Sequence, residues 1–372
     1  MKWVFWGSAG IIAYAYVGYA GWLYLRSRWR PQPVQQAPFT PAVSIAMVVR
    51  NEESVLEKKL HNLLEAHYPK DCYEIVVVSD GSTDRTEQIL REHAVDDHLR
   101  IILNPVSRGK AACLTDAMEA VRGEVVVFTD ARQMIEPDAL RFLTENFSDR
   151  SVGCVSGQLM LGDMDSGDSG RGLGLYWKIE KKIRVLEAES GSVVGATGAL
   201  YAVRRENLVP VPAGTILDDV YIPMNVVRQG KRVVFDARAK AWDQPDLGAD
   251  REFSRKVRTL SGNYQLLQLA PWLLGSSNPI RFEFISHKLM RLLVPFALMG
   301  TLLATLFLRE PFYRLALVLQ VAFYTLSVLA TLHIRGPLAR LTDGAYTFVM
   351  LNAAALVAFA NFVTGRKAAW SR

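Results

Sequence analysis

Cysteine is scarce here, with Cys72, Cys113 and Cys154 the only thiols in 372 residues. They are too few for a disulfide framework and too widely spaced for a zinc motif, so a reducing compartment is the default. EF-hand order is missing as well. The aspartate-dense stretch GDMDSGDSGRG (162–172) is interleaved with glycine and serine and reads as a mobile loop. His287 and His333 flank apolar segments without ligand partners in pattern and read as interfacial or structural. A basic surface fit for a nucleic-acid groove is also lacking. The formal charge is +6, and the basic residues gather beside apolar runs, in RSRWR (26–30) and around Lys288 and Arg291. Such clusters suit an anionic membrane surface.

What is present is a mixture: half of the residues are apolar and 22% are charged. Residues 3–25 are apolar and aromatic-rich, long enough to cross a hydrocarbon core that takes about 20 helical residues. A secretory signal has a core of only about 7–15 residues behind a basic start, whereas here the basic cluster follows. This predicts a transmembrane helix with its N-terminus outside, then a basic, proline-rich linker over 26–42. Three more apolar runs, 289–308, 312–334 and 345–363, predict three transmembrane helices within 287–372. Residues 264–274 are too short to span and predict an interfacial segment over 264–286. Four spans make a multi-pass membrane protein, with the domain between them on the cytoplasmic side. Arg366, Lys367 and Arg372 in the tail pull against the outside C-terminus that this implies.

Between the membrane segments, residues 43–263 alternate strand and helix. Apolar runs at 43–49, 75–78, 100–103 and 124–128 are separated by helical patterns at 55–64, 86–90 and 110–121, and a further helix is expected over 137–147. Such alternation predicts an α/β domain, Rossmann-like, with a mainly parallel sheet. Two strands end in acid: EIVVVSDGSTD delivers Asp80 and Asp84, and VVVFTDARQ delivers Asp130. Ligands of open α/β sheets bind beyond the carboxyl ends of the strands, where these carboxylates lie. Arg108, Gly109 and Lys110 open a helix between them, and free N–H groups with a lysine suit a phosphate. Asp218 and Asp219 follow in TILDDVYIP, then Arg255, Lys256 and Arg258 on a helix. Asp84 is either a nucleotide contact or a helix N-terminal cap. Arg204 and Arg205 are placed in solvent sooner than at phosphates. Trp177 and Glu180 share a helical spacing and line a groove or pack beneath the loop. Gln320, Thr325 and Asn352 either line a path through the apolar helices or bond between them.

Taken in order, VVRNEE, VVVSDGSTD, RGKAACLTDAM, VVVFTDA, GATGALYAVRRE, ILDDVYIPMNVVRQG and SRKVRT resemble the membrane-bound family-two glycosyltransferases of GT-A fold. That family includes cellulose, hyaluronan and poly-N-acetylglucosamine synthases. The resemblance implies an inverting hexosyltransferase moving a sugar from a nucleotide-sugar donor, a UDP-sugar, to a polysaccharide or glycolipid acceptor. It implies Mg2+ or Mn2+ as cofactor and polysaccharide-synthesis subunits as partners, and it implies no nucleic acid. By the same resemblance Asp219 is the catalytic base, Asp80, Lys110, Arg255 and Arg258 hold the nucleotide, and Asp130 holds the metal. Glu52, Asp218 and Arg132 are further candidates. Two positions depart from the family pattern. Arg132 stands where a second metal-binding aspartate is usual, and Thr259 replaces the tryptophan on which an acceptor sugar stacks. Single-sugar transfer to a lipid phosphate, or a nucleotide-sensing assembly subunit without catalysis, are the alternatives.

Overall fold

The computed structural model describes residues 1–94, 97–164, 168–169, 174–244, 249–332 and 337–366. His333, Lys367, Arg372, the side chain of Trp177 and most of the 162–172 loop lie outside them. The chain begins with a continuous helix: α1 (Lys2–Ala13), a π turn (Tyr14–Gly18) and α2 (Tyr19–Trp29). An extended linker then leads to the sheet.

Four strands, β1 (Val43–Val49), β2 (Tyr73–Asp80), β3 (Leu99–Asn104) and β4 (Val125–Thr129), pair in parallel in the order β3-β2-β1-β4. Helices α3 (Leu56–Leu64), α4 (Thr86–His93) and α5 (Lys110–Ala120) connect them. Strands covered on both faces read as unbroken apolar runs, and β4 is buried at every residue. Each such valine contributes about 1.5–3 kcal/mol when fully buried. On α3 the apolar face is Leu56, Leu60 and Leu63, with Lys59 drawn in among them.

Past β4 the regular alternation ends. A short β5 (Met134–Ile135) precedes α6 (Ala139–Glu145), which starts two residues later than Pro137 predicts, with Asp138 at the N-cap position. β6 (Val152–Asp163), β7 (Asp168–Ser169) and α7 (Gly174–Ser190) follow, then β8 (Leu200–Arg204), α8 (Asp218–Arg228) and β9 (Arg232–Asp243). β8 inserts antiparallel between β4 and β6, and β9 runs parallel to β6, completing the order β3-β2-β1-β4-β8-β6-β9-β5. Reversing one strand at this point brings the β4 and β8 loops together with the start of α8.

The chain then enters α9 (Ala249–Leu269), a one-turn Pro271–Leu274 helix and α10 (Arg281–Phe284), which continues through a π turn into α11 (Met290–Phe307). α12 (Pro311–Leu329) and α13 (Pro337–Val363) end the fold. Residues 264–274, expected at an interface, thus form the end of α9 and the turn after it. Tyr264 there stacks on Phe362 of α13 with ring centroids 5.2 Å apart. Among the described residues three helices are long and apolar enough to cross a membrane: Arg281–Phe307, Pro311–Leu332 and Leu341–Val363. The first begins six residues before the 287 boundary expected from the sequence, because α10 and the π turn run straight into α11. The N-terminal helix, expected as another span, has the length but lies outside these three, its apolar character diluted by glycine and tyrosine. It packs along α11, where Gly300 admits Ser8: a Cβ added there would come within 2.5 Å of the Ser8 hydroxyl. Phe5 meets Tyr313 edge to face at 5.0 Å. Lower on the same helix, Tyr14 shares a 2.7 Å hydroxyl bond with Ser286, and Arg26 is ion-paired with Glu283.

Candidate active site

The carboxyl ends of β1, β2 and β4 and the start of α8 define one edge, and the acidic residues gather there. Asp80 closes β2 and is buried, its carboxylate accepting the N–H groups of Arg108 at 2.6 Å and Gly109 at 3.0 Å. It also accepts the Ser107 hydroxyl at 2.9 Å. Burial pushes its carboxyl up, but these donors and the Cys113 thiol outweigh burial and hold it below its ordinary value. Asp80 therefore shapes the loop that begins α5. That loop also passes so close to Gly81, at φ +61°, that a Cβ there would lie 2.5 Å from the Ser107 nitrogen. Asp84 takes the capping role: it accepts the N–H of Thr86 at 3.0 Å and of Glu53 at 3.2 Å.

Lys110, the first residue of α5, reaches across to β4 and α8. Its ammonium lies 2.9 Å from Asp130 and 3.5 Å from Asp218. Burial opposes the charge on Lys110, but Asp130 and Asp218 prevail and hold its pKa well above the ordinary lysine value. Arg258 of α9 is drawn toward the same carboxylates; burial lowers its pKa while Asp218, Asp130 and Asp219 counteract. Glu52 faces this centre too, its carboxyl raised by burial, lowered by Arg132 and raised by Asp130.

Asp219 sits one residue beyond Asp218 in the first turn of α8, and its Oδ2 accepts the Gly198 N–H at 3.2 Å. Burial and then the Asp218 charge push its carboxyl up to about 6, against Lys110, Lys288 and Arg184. A carboxylate so tuned is a competent proton acceptor near neutral pH. We expect kcat/KM to fall below about pH 6 as Asp219 takes up its proton and to level off above it. A pH–rate profile checks this; a flat profile from pH 5 to 8 contradicts the assignment.

The fit for a divalent cation follows from Lys110. Its ammonium stands between Asp130 and Asp218, showing that the two carboxylates are placed to share a cation. Among the described residues no three His, Cys, Asp or Glu side chains converge as a ligand set. The chain thus offers two carboxylates, leaving other positions to a diphosphate and water, which suits Mg2+ or Mn2+.

Three features lay beyond sequence reasoning. Asp243, buried at the end of β9, lies 3.7 Å from both Arg132 and Arg255, one on each oxygen. It turns the two guanidinium groups toward one another at the rim of the site. Asp243→Asn should free Arg132 and leave Arg255 to Glu252, and raise KM for a nucleotide-sugar donor about tenfold with little change in kcat, measured by steady-state kinetics. Second, Lys59 on α3 is wholly buried, donating to Thr129 at 3.0 Å and to the Gln133 carbonyl, and so ties α3 to the loop carrying Asp130. Burial drops its pKa to about 7 despite the Asp130 charge. Third, Arg204, expected in solvent, is buried: it donates to the Val152 carbonyl at 2.9 Å and lies 5.3 Å from the Phe147 ring centre. It serves the sheet and not a phosphate, because β8 points it inward between strands. His287, read from the sequence as interfacial or structural, lies buried between Glu180 and Glu187.

A mainly parallel sheet with acid loops at its carboxyl edge and one reversed strand beside them defines a GT-A-like α/β domain. Residues 44–208 match the family Glycosyl transferase family 2, and the chain carries a glycosyltransferase domain of that family. The match ends before Asp218, so the α8 carboxylates and α9 cations lie outside it. Among curated proteins the chain is similar to the beta-monoglucosyldiacylglycerol synthase of Nostoc sp. (strain PCC 7120), 30% identical over 158 residues. That stretch is 41% of this chain and 33% of the synthase. It is also similar to the poly-beta-1,6-N-acetyl-D-glucosamine synthase of Staphylococcus epidermidis, 22% identical over 62% of this chain and 56% of that one. The chain thus spans about a third to a half of these relatives' length. Among solved structures, a mannosyltransferase of Pyrobaculum calidifontis in complex with GDP-Man and Mn2+ superimposes with a TM-score of 0.73 at 23% identity. The overlap covers 96% of this chain and 98% of that one, so the likeness of fold includes the helices flanking the domain.

Proposed function

We propose that the protein is an inverting glycosyltransferase that moves a sugar from a nucleotide-sugar donor to a hydroxyl of a glycan or glycolipid at the membrane. The observation that carries this reading is Asp219: a carboxylate pushed up to about 6, fixed by Gly198, beside a centre of Asp130, Asp218, Lys110 and Arg258. Asp219 would accept the proton of the attacking hydroxyl while the sugar carbon inverts. Arg258 and Arg255 would bind the departing diphosphate, and Lys110 would move from its carboxylates toward it. A divalent cation on Asp130 and Asp218, when bound, would supply Lewis-acid stabilisation of the leaving group. The loop organised by Asp80 would bear the nucleoside, and UDP-sugars are the donors we put first. The apolar helices would hold a multi-pass protein in the inner membrane with this domain on the cytoplasmic side.

The test is nucleotide release by the detergent-purified chain across UDP- and GDP-sugars, with Mg2+, Mn2+ or EDTA, followed by sizing of labelled product. Metal-dependent release with one donor supports the reading, and product length separates polymer from single transfer. Donor binding without turnover, even with membrane lipids added, would leave the chain a nucleotide-binding subunit.

A further inference from the structure

The turn that carries Asp130 is open on one side and buried on the other. Asp130 is 39% and Arg132 44% exposed, whereas Thr129 and Gln133 at its two ends are buried. Residues 130–133 lie between the end of β4 and the start of β5, so the direction in which Asp130 points is set by what holds those ends.

Helix α3 holds both. Lys59, wholly buried, donates from Nζ to the Thr129 hydroxyl at 3.0 Å and to the Gln133 carbonyl, and so spans the turn. Asn62, three residues along the same face, accepts the Ile135 N–H and donates to the Ile135 carbonyl, each at 2.9 Å. A buried amine is tolerated only where polar partners meet it, and both of these partners of Lys59 belong to the turn.

The Thr129 hydroxyl carries the chain of bonds onward. A carbonyl oxygen only accepts, so the hydroxyl proton goes to the Ala199 carbonyl at 2.9 Å, and the Thr129 oxygen accepts from Lys59. The Asp130 carbonyl is a poorer acceptor for it at 3.5 Å. β4 and β8 pair as far as Thr129 and Leu200, so Ala199 lies one residue past the ladder and takes a side chain as partner in place of the strand. Ala199 belongs to the loop that fixes the proposed base. The Gly198 N–H lies 3.2 Å from Asp219 Oδ2, and the Ala196 N–H lies 2.7 Å from the Asp219 carbonyl. A Cβ at Gly198 would come 3.4 Å from that carboxylate oxygen, so loop and base are packed together and a shift of one moves the other. From Lys59 to Asp219 the path is three hydrogen bonds, of 3.0, 2.9 and 3.2 Å, joined by the backbone of Gly198 and Ala199.

We infer that Thr129 is a positioning residue: its hydroxyl, oriented by Lys59, fastens the turn that offers Asp130 to a cation onto the loop that holds Asp219, and so fixes the distance between the two. This rests on the transferase reading above and adds to it the residues that set its geometry. Neither Thr129 nor Lys59 touches the reacting atoms. The base must meet the acceptor hydroxyl on one side of the sugar carbon while the leaving group departs on the other, so this distance governs the chemical step and not the binding of the donor.

The test compares Thr129→Val, which keeps the shape and removes the hydroxyl, with Thr129→Ser, which keeps the hydroxyl, in the full detergent-purified chain. We expect Thr129→Val to lower kcat about ten- to a hundredfold with donor KM within about twofold, the size of effect that a misplacement of about 1 Å produces. Thr129→Ser should recover most of the loss. Lys59→Met should lower kcat in the same way, and the double variant with Thr129→Val should fall no further than the worse single one. Independently of turnover, amide hydrogen exchange over residues 194–200 should quicken in Thr129→Val and in Lys59→Met, and return to the wild-type rate in Thr129→Ser. A rise in KM with kcat unchanged, or wild-type kcat and exchange in Thr129→Val, overturns the assignment. A serine variant as impaired as the valine one overturns it too, leaving Thr129 a packing residue. If the valine variant does not fold, Lys59→Met decides, and unchanged exchange over 194–200 there breaks the link. Absence of donor turnover by the wild type overturns the transferase reading, while the exchange rates still decide whether turn and loop are joined.

Discussion

Asp219→Asn is expected to lower kcat by a factor of about 10²–10⁴, the usual worth of a positioned general base, while donor Kd stays within about threefold. Asparagine keeps the oxygen that accepts the Gly198 N–H, so the loop and helix start are preserved and only the proton acceptor is lost. The same substitution should stabilise the protein. The folded pKa of about 6 lies above the unfolded value near 3.9, so the folded state holds this proton more tightly. Stability from this group is complete at low pH and is lost as pH rises through 6. At pH 7 the neutral asparagine should therefore gain about 1–2 kcal/mol, read as a higher Tm. A variant that is inactive and less stable would instead show a structural role for Asp219.

Lys110→Met is expected to cost about 2–3 kcal/mol in EDTA, and a divalent cation should recover most of it. Removing the ammonium leaves Asp130 and Asp218 facing one another with Arg258 as a remaining cationic neighbour. Breaking a buried pair costs about 3–5 kcal/mol, and the lower figure applies because Asp130 is 39% exposed and partly screened. Thermal melts of the variant with EDTA and with Mn2+ measure both parts. If Mn2+ shifts wild type and variant equally, Asp130 and Asp218 do not share a metal.

The strands that end in Asp80 and Asp130 are legible because each is a short β-branched run closed by an acid, a pattern set by neighbouring residues. Asp219 is harder to see: ILDDV marks a helix start but no role, and only the resemblance assigned one. Asp243 and Lys59 were illegible for a physical reason. Asp243 finds Arg132 across more than a hundred residues and Lys59 finds Thr129 across seventy, through a sheet order no local pattern encodes. Lys59 even looks like a surface residue of an amphipathic helix. The reversed β8 escaped for a related reason, since an apolar strand carries no mark of the direction in which it will pair. The partners of His287 were invisible in the sequence because both are about a hundred residues away on α7.

The N-terminal helix has a consequence for biogenesis. Its lower half is fastened by Tyr19 to Glu187 and by Arg26 to Glu283, the latter 257 residues further along the chain. At roughly 5–20 residues per second, a ribosome needs about 13–50 s to make that second partner. For that interval the first helix leaves the ribosome with most of its polar anchors unmade, long after β1 to β4 can have paired. Assembly must therefore proceed from a finished catalytic domain outward to its helical collar, with the earliest residues synthesised among the last to dock. Chains arrested shortly before Glu283 should display a folded sheet and a protease-sensitive leading helix.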